Sequence, residues 1–385
     1  MILSPPLRDT ADGLARLFAE RADGHDRAGR FAHDNIANCR NAGLPGLTVP
    51  RRLGGAGAGL GQAAMVIGTL ARGEPSTALV LTMHFLQHGL IHARAASPEE
   101  SWPQAIADGL GRAAVEDGAL INALRVEPEL GTPSRGGMPE TLARATSTGW
   151  RISGRKIYST GSPALTHGLV FVRTDEAEPR IGNILVPMAS DGVRIEETWD
   201  HLGLRASGSH DVIFEDVAVP ADHAVDLRPP EGWRKPDLQQ QAWSTAMLSA
   251  LYDGVARSAQ AWFIAFAKDR KPGSLGQSLA TLPRFQEAIG ENERLLAVNA
   301  RLIRSFAADV DGGACPSVAE SGFLKTTVTE NAIQLVQRAV ELAGNPGLSR
   351  ANPLERHLRD VLCGRIHWPQ TDAVRIAAGR AALGL

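Results

Sequence analysis

Residues 199–220 read WDHLGLRASGSHDVIFEDVAVP, and this stretch decides the fold class of the chain. Its second half, HDVIFEDVAVP, is short and rich in β-branched residues, which is typical of a β-strand. The first 115 residues and the residues after 225 instead place apolar residues three and four positions apart, which is the spacing of helices. The stretch therefore predicts β-structure in the middle of an otherwise helical protein.

The sequence before this stretch contains three more segments of the same kind. They are short and β-branched, and turn residues separate them. They read RISGRKIYSTGS at 151–162, HGLVFVRTD at 167–175 and RIGNILVPM at 180–188. We therefore predict a small β domain over residues 116–225, with a barrel and a sandwich as the two open alternatives.

Helical patterns fill the chain on both sides of the β domain. Residues 1–115 contain amphipathic helices and one helix that is apolar on nearly all faces, as expected of a buried helix. Residues 226–385 contain four or five long amphipathic patterns, which are typical of a helical bundle. The predicted fold is α+β and mostly α, with an N-terminal helical domain, a central small β domain and a C-terminal helical bundle.

Composition and charge restrict the class of protein. The 385 residues include 40 basic and 42 acidic side chains, a net charge of −2 without a basic stripe, so we expect neither nucleic acid nor a membrane surface as a partner. Cys39, Cys315 and Cys363 lie far apart, as in proteins of a reducing compartment. The first residues lack a signal-peptide pattern and no run of about 18 apolar residues occurs. We therefore predict a cytoplasmic protein.

Two motifs are set aside at this point. GGAGAGLG at 54–61 resembles a phosphate-binding loop but matches neither known spacing, and we interpret it as a turn between helices. His84, His88 and His92 share one helical face, but the sequence supplies no further zinc ligands, so we predict no metal site. This face either lines a polar cavity, where a histidine binds a ligand, or carries ordinary solvated or hydrogen-bonded histidines.

Four segments, in order along the chain, carry a family resemblance. They are RVEPELGT at 125–132, GRKIYSTGS at 154–162, the opening stretch at 199–220, and AVELAGNPGLSRANPLERHLRDV at 339–361. Together with the order of the three regions, they make the chain resemble the acyl-CoA dehydrogenase superfamily over essentially its whole length. The resemblance implies a flavin, either FAD or FMN, bound between the β domain and the bundle, and an oligomer, usually a homotetramer.

The resemblance also implies the residues that bind the flavin. Val126 and Thr132 would touch the ring or its side chain, while Tyr158, Ser159 and Thr160 would approach its N5 and O4 atoms, where donors stabilise the reduced ring. An ordinary strand threonine is the alternative for Thr160. The full set of cofactor residues carried over is Arg125, Val126, Thr132, Tyr158, Ser159, Thr160, Arg270, Gly344 and Asn345. Glu341, in place of the family's glutamine, weakens FAD and leaves FMN open.

The chain departs from the dehydrogenases at the catalytic base. Their glutamate removes an α-proton of the acyl thioester, but the matching position here is Trp368, preceded by His367. The other position that some dehydrogenases use lies near Ser244, again without a carboxylate. The loop instead resembles a monooxygenase branch of the same fold, the dibenzothiophene monooxygenase-like enzymes, whose pattern is matched by Asp360, His367 and Pro369.

The resemblance to this branch implies a mechanism. Reduced flavin and oxygen would form a C4a-hydroperoxide, which His367 would stabilise by a hydrogen bond, with a proton transfer near neutral pH, while Trp368 would help to exclude water. Thr160 would hold the flavin, and His84 or His88 would face the substrate cavity. The alternative for His367 is a histidine at a helix C-terminus that interacts with the helix dipole.

These features predict a flavin-dependent oxidoreductase. We favour a two-component monooxygenase that acts on a small organic substrate and receives reduced flavin from a separate reductase. One alternative is an acyl-CoA dehydrogenase that oxidises the α–β bond of an acyl thioester with a base not located here. The other is a non-catalytic relative that binds an acyl group or serves as a scaffold. The predicted catalytic residues are His367, Thr160 and His88.

Overall fold

The computed structural model describes residues 3–96, 102–129, 137–233 and 235–385. Five helices precede the β domain: α1 (Pro5–Ala28), α2 (His33–Asn41), α3 (Leu60–Gly73), α4 (Pro75–Ala95) and α5 (Gln104–Glu116). Helices α3 and α4 are buried on most faces, as their apolar composition predicts. Among the residues described, no helix is both long and apolar enough to cross a bilayer.

The glycine-rich segment 54–61 is a turn that leads into α3, as predicted. The start of α3 donates two backbone N–H groups to the carboxylate of Asp311, from Leu60 at 2.7 Å and from Gly61 at 3.0 Å. An acidic side chain from another helix thus occupies the place where a phosphate loop would hold its ligand. The segment therefore joins the N-terminal helices to the bundle.

The β domain is one eight-stranded sheet. Seven strands follow the hydrogen-bonded order β6-β7-β3-β2-β4-β5-β8, and β1 pairs with β4. The described residues thus form a sheet with two ends, not a closed barrel. The strands are β1 (Ile121–Leu124), β2 (Leu142–Ala145), β3 (Gly149–Ser159), β4 (His167–Thr174), β5 (Ile181–Pro187), β6 (Val193–Glu196), β7 (His210–Pro220) and β8 (Ala224–Arg228).

The opening stretch forms a loop followed by β7, as predicted. Strand β7 runs antiparallel to β3, and the register shifts between Lys156 and Ser159. At this bulge Tyr158 has φ = 55°, in the left-handed region that residues other than glycine rarely adopt. The bulge interrupts the regular pairing just before Ser159, whose side chain is buried like that of Thr160.

The C-terminal region is a helical bundle. Its long central helix, α6, is buried on most faces because it packs against α3, α4, α7 and α8. The region contains α6 (Leu238–Asp269), α7 (Pro283–Asp311), α8 (Val318–Ala343), α9 (Asn345–Leu348), α10 (Leu354–Leu362) and α11 (Thr371–Leu383).

One joint holds the β domain against the bundle. The loop before β7 donates the backbone N–H of Leu204 to the buried carboxylate of Asp360 in α10, at 2.7 Å. Arg359 donates to the carbonyl of Leu202 at 2.9 Å and forms an ion pair with Asp26 of α1 at 2.6 Å. Gly203 fits tightly here, since a Cβ atom would lie 2.4 Å from the Arg359 carbonyl oxygen. The loop within residues 199–220 is therefore in direct contact with Arg359 and Asp360 of α10.

Candidate functional site

His367 lies in the loop after α10 and binds a buried tyrosine. Its Nδ1 atom is 2.5 Å from the hydroxyl of Tyr252, which is fully buried in the middle of α6. Burial raises the pKa of Tyr252 well above its ordinary value, so the hydroxyl keeps its proton. This hydroxyl has no other hydrogen bond among the described residues, so a proton that it donates would go to Nδ1. The neutral imidazole of His367 then carries its own hydrogen on Nε2.

The pKa of His367 differs from the value expected from the sequence. Burial, together with the charge of Lys325, lowers it to about 4. The expectation that this histidine titrates near neutral pH is therefore wrong, because the ring is removed from water and lies beside a cation. At neutral pH the ring of His367 is therefore neutral and not an imidazolium.

Lys325 of α8 fixes the backbone of this loop. Its buried ammonium group donates to three carbonyl oxygens, those of Gly364 at 2.6 Å, His367 at 2.5 Å and Pro369 at 2.9 Å. Burial lowers the pKa of Lys325 to about 8. Trp368, which precedes a cis peptide bond to Pro369, is 55% exposed. The loop is thus pinned at three points around His367.

Sequence reasoning missed both Tyr252 and Lys325. The chain has only two tyrosines, and one of them lies on an apolar helix. Lys325 likewise lies on the buried face of α8. A buried polar side chain on an apolar helix face is a usable signal, since such groups require a partner.

On the β-domain side, the two predicted flavin-binding segments lie together. The backbone N–H of Ile157 donates to the carbonyl of Val126 at 2.9 Å, and the Asn122 amide donates to the carbonyl of Thr160 at 3.0 Å. Val126 is 43% exposed and Tyr158 is 53% exposed. Two apolar side chains therefore lie open at the surface where β1 and β3 end.

Three aromatic side chains, Tyr158, Trp199 and His201, form what we call the aromatic shelf. Trp199 and His201 stack with ring centroids 3.7 Å apart, and the edge of Tyr158 meets them at 6.3 Å and 5.7 Å. The indole of Trp199 donates to the carbonyl of Leu204, the residue bound to Asp360. The shelf is thus tied to the joint between the β domain and α10.

The polar groups at the end of β3 differ in their partners. The hydroxyl of Thr160 lies 3.0 Å from that of Ser209, which lies 2.8 Å from that of Ser207. The hydroxyl of Ser159 is buried and has no partner among the described residues. A buried hydroxyl without a partner is the kind of group that a bound ligand satisfies. Together with the apolar surface of Val126 and Tyr158, it fits the edge and face of a flavin ring.

A buried ion pair links the same two segments. The ammonium group of Lys156 lies 2.5 Å from the Glu127 carboxylate and also donates to the carbonyl of Phe171. Glu127 further accepts from the backbone of Glu140 at 2.7 Å and of Thr141 at 3.0 Å. Burial alone would raise the pKa of Glu127, but Lys156 and these donors hold it below its ordinary value. Burial lowers the pKa of Lys156 to about 8.

Four of the remaining predicted cofactor residues are described by the structure, and it does not bring them to this surface; they are Arg125, Arg270, Gly344 and Asn345. The guanidinium of Arg125 lies 5.4 Å from the ring centroids of both Phe171 and Trp233, inside the β domain. Arg270 follows the end of α6, about 27 Å from Tyr252 along the helix axis at about 1.5 Å per residue. Gly344 and Asn345 are exposed at the end of α8. Thr132 lies outside the described residues.

The histidine face of α4 points towards the β domain. His84 uses both ring nitrogens, Nε2 with the carbonyl of Pro45 at 2.8 Å and Nδ1 with the N–H of Ile121 at 3.2 Å. The ring of His84 thus joins two backbone segments to α4, and a substrate cavity facing His84 or His88 stays a prediction. The ring of His88 packs between those of His84 and His92. It does not share the contact that His367 makes with Tyr252. Among the described residues, no group of histidine, cysteine and carboxylate side chains could hold a metal ion.

Acidification is expected to destabilise the protein between about pH 6.5 and pH 4. Burial lowers the pKa of His84 and of His92 to about 4, and holds that of His88 well below its ordinary value. In this range the unfolded chain therefore binds protons that the folded chain does not, at about 1.4 kcal/mol per pH unit for each group. Asp360 opposes the effect, since burial raises its pKa to about 7. Urea unfolding at about pH 7 and about pH 5 measures the difference, and equal stability at both would contradict it.

Three family profiles match consecutive parts of the chain. The N-terminal domain of acyl-CoA dehydrogenases matches residues 6–109, the middle domain residues 126–217 and the C-terminal domain residues 246–370. The chain therefore belongs to the acyl-CoA dehydrogenase family. This confirms the predicted fold, with helices, a central β domain and a bundle in that order.

Two relatives of this chain carry names for different activities. YdbM of Bacillus subtilis, which its name assigns provisionally to the acyl-CoA dehydrogenases, is 33% identical over 364 residues, covering 94% of this chain and 92% of that protein. L-evernosamine nitrososynthase of a Micromonospora species is 32% identical over 415 residues, covering 100% of this chain and 92% of that enzyme.

Solved structures extend the comparison. KijD3 in complex with FMN and dTDP-3-amino-2,3,6-trideoxy-4-keto-3-methyl-D-glucose is 26% identical, with a TM-score of 0.83, and the match covers 100% of this chain and 95% of that chain. FMN-bound TdsC of Paenibacillus is 23% identical with a TM-score of 0.87, and the match covers 99% of this chain and 98% of that chain. At this identity the likeness shows that the two proteins share a fold and no more. A flavin, the cofactor class predicted from the sequence, is present in both structures.

Proposed function

We propose that this protein is a flavin-dependent monooxygenase that transfers oxygen to a small organic substrate. The observation that carries the proposal is the Tyr252–His367 pair, which lies in the loop where the family resemblance puts the dehydrogenase glutamate at the position of Trp368. A neutral histidine locked as an Nε2 donor cannot replace a carboxylate as the base that takes an acidic α-proton. It can stabilise negative charge that develops on oxygen.

The two sides of the proposed site have different roles, one in binding the flavin and the other in oxygen transfer. Reduced flavin, when bound, supplies the electrons for oxygen activation. Ser159 and the backbone at the end of β3 would hold its polar edge, and Val126 and Tyr158 would contact its apolar face. His367 would donate from Nε2 to the oxygen that is transferred, while Tyr252 keeps the ring in that tautomer. FMN is favoured over FAD, because Glu341 places a negative charge where a pyrophosphate would bind.

We further propose an amine as the substrate class. Two similar proteins support this choice: one is named as a nitrososynthase of an amino sugar, and the other binds an amino sugar nucleotide together with FMN. A two-component system, with reduced flavin supplied by a separate reductase, completes the proposal. The homotetramer expected from the family resemblance is part of the same proposal.

The His367→Ala variant is expected to separate flavin oxidation from substrate oxygenation. Anaerobically reduced, FMN-loaded protein is mixed with oxygenated buffer and an amino sugar nucleotide, and product and hydrogen peroxide are measured per flavin reoxidised. Loss of the Nε2 donor should lower the product fraction about 10-fold or more, with peroxide in its place. The exposed His33→Ala variant is the control and should match the parent protein. An unchanged product fraction in His367→Ala would remove this histidine from the mechanism.

A second candidate function is acyl-CoA dehydrogenation. The observation that favours it is the 33% identity to YdbM of Bacillus subtilis. Anaerobic addition of acyl-CoA esters to the oxidised, flavin-loaded protein distinguishes the two functions. Bleaching of the flavin absorbance, with formation of the enoyl product, would establish the dehydrogenase and overturn the monooxygenase proposal.

A further inference from the structure

A cavity lies on the far side of α6 from His367. It has a volume of about 420 Å³ and lies between α1, α3, α6 and α7. Each of these four helices contributes one arginine to its wall: Arg8, Arg72, Arg257 and Arg304. Arginines from four separate helices thus line the cavity. Its volume lies in the range of small-molecule sites, about 300–1,000 Å³.

Small residues keep this cavity open. Three of the six lining residues of α3 are small, namely Gly61, Ala64 and Gly68, as are two of the four from α7, Ala300 and Ala307. Helices that meet through such residues leave room between them only if larger side chains do not fill the gap. The wall therefore combines a cationic part with a small apolar part.

Among the described residues, only one of the four arginines of this cavity has a hydrogen-bonding partner in the protein. Arg257 is committed, since it pairs with Asp253 at 2.7 Å and donates to the carbonyl of Leu296 at 3.1 Å. The other three arginines are exposed, and their side chains make no hydrogen bond or ion pair within 4 Å among the described residues; they are Arg8, Arg72 and Arg304.

The acidic groups in the wall do not cancel this charge. Asp253 is already paired with Arg257 and accepts from Asn299 at 3.1 Å, which leaves Asp12 as the only other carboxylate among the lining residues. Burial and the nearby charge of Arg257 lower the pKa of Arg72, while Asp253 and Asp12 act in the opposite direction. The cavity thus carries an excess of positive charge.

We propose that this cavity is a second ligand site, which binds a small phosphorylated compound. Guanidinium groups match phosphate oxygens in pairs, and arginine is preferred to lysine where such forked contacts are made. The apolar part of the wall would contact the carbon skeleton of the compound. The site is separate from the His367 site, because Ala250, Asp253 and Arg257 lie on other faces of α6 than Tyr252.

Calorimetric titration of the full-length, flavin-loaded protein tests this site without measuring activity. Inorganic phosphate and glucose 6-phosphate are the two probes, since the phosphate group is common to both and only the second can use the apolar wall. We expect both to bind, glucose 6-phosphate more tightly. The Arg304→Met variant should weaken both at least 10-fold, and Arg72→Met should do the same.

Arg301→Met is the matched control, because Arg301 is an exposed arginine of the same helix that does not line the cavity. This variant should bind both probes like the parent protein. Thermal unfolding without the probes checks that each variant is folded. The proposal is overturned if neither probe binds at millimolar concentration, or if binding is the same in Arg304→Met and Arg301→Met. Tighter binding of inorganic phosphate than of glucose 6-phosphate would overturn the phosphorylated organic compound as the ligand class.

Discussion

The Lys156→Met variant is expected to lose about 3–5 kcal/mol of unfolding free energy and to lose its flavin. Lys156 and Glu127 are both buried, and their atoms lie 2.5 Å apart. Removal of the ammonium group leaves a carboxylate without its counter-charge inside the β domain, where water cannot solvate it. Because Ile157 and Val126 lie next to this pair, its loss also separates the two segments of the proposed flavin site.

Urea unfolding and the flavin content after purification measure this effect. The double variant Lys156→Met with Glu127→Gln removes both charges and keeps one oxygen acceptor, which can serve Thr141 but not also Glu140, so it should regain part of the loss. Arg194→Met breaks an exposed ion pair with Glu215 and serves as the control, with no expected change in stability or flavin content. A Lys156→Met variant as stable as the parent protein would show that the pair is not needed.

The Lys325→Met variant is expected to disorganise the loop that carries His367. Methionine has a similar shape but no donor, so the carbonyl groups of Gly364, His367 and Pro369 lose their common partner. Each buried polar group without a partner costs about 1–3 kcal/mol. The loop should therefore move until water or another donor reaches these groups, and the contact between His367 and Tyr252 should be lost.

Two measurements test this variant. Its unfolding free energy should fall by several kcal/mol, and its peroxide release per reoxidised flavin should approach that of His367→Ala, although the histidine itself is unchanged. Lys268→Met, at the exposed end of α6, is the control for loss of a lysine charge. A product fraction equal to that of the parent protein, in folded Lys325→Met, would show that Lys325 holds the fold but does not position His367.

A large part of the fold could be read from the sequence. Helical and strand spacing are local properties, so they located the two helical regions and the β domain without knowledge of any contact. The segments around Val126, Tyr158 and Asp360 likewise carried the family resemblance, because each is a short run of characteristic residues. Local patterns did not decide between a barrel and a sandwich, since strand order depends on pairing between distant segments.

The chemistry of the candidate site was decided by the tertiary structure. Tyr252 meets His367 across 115 positions of sequence, and Lys325 meets the same loop across 42. Neither pairing leaves a trace in local spacing. The pKa of His367 moved from an expected neutral value to about 4 because burial and a nearby cation act through space. The sequence by itself determined which residue types were present and in what local structure, whereas only the folded chain determined their neighbours, their access to water and therefore their charge.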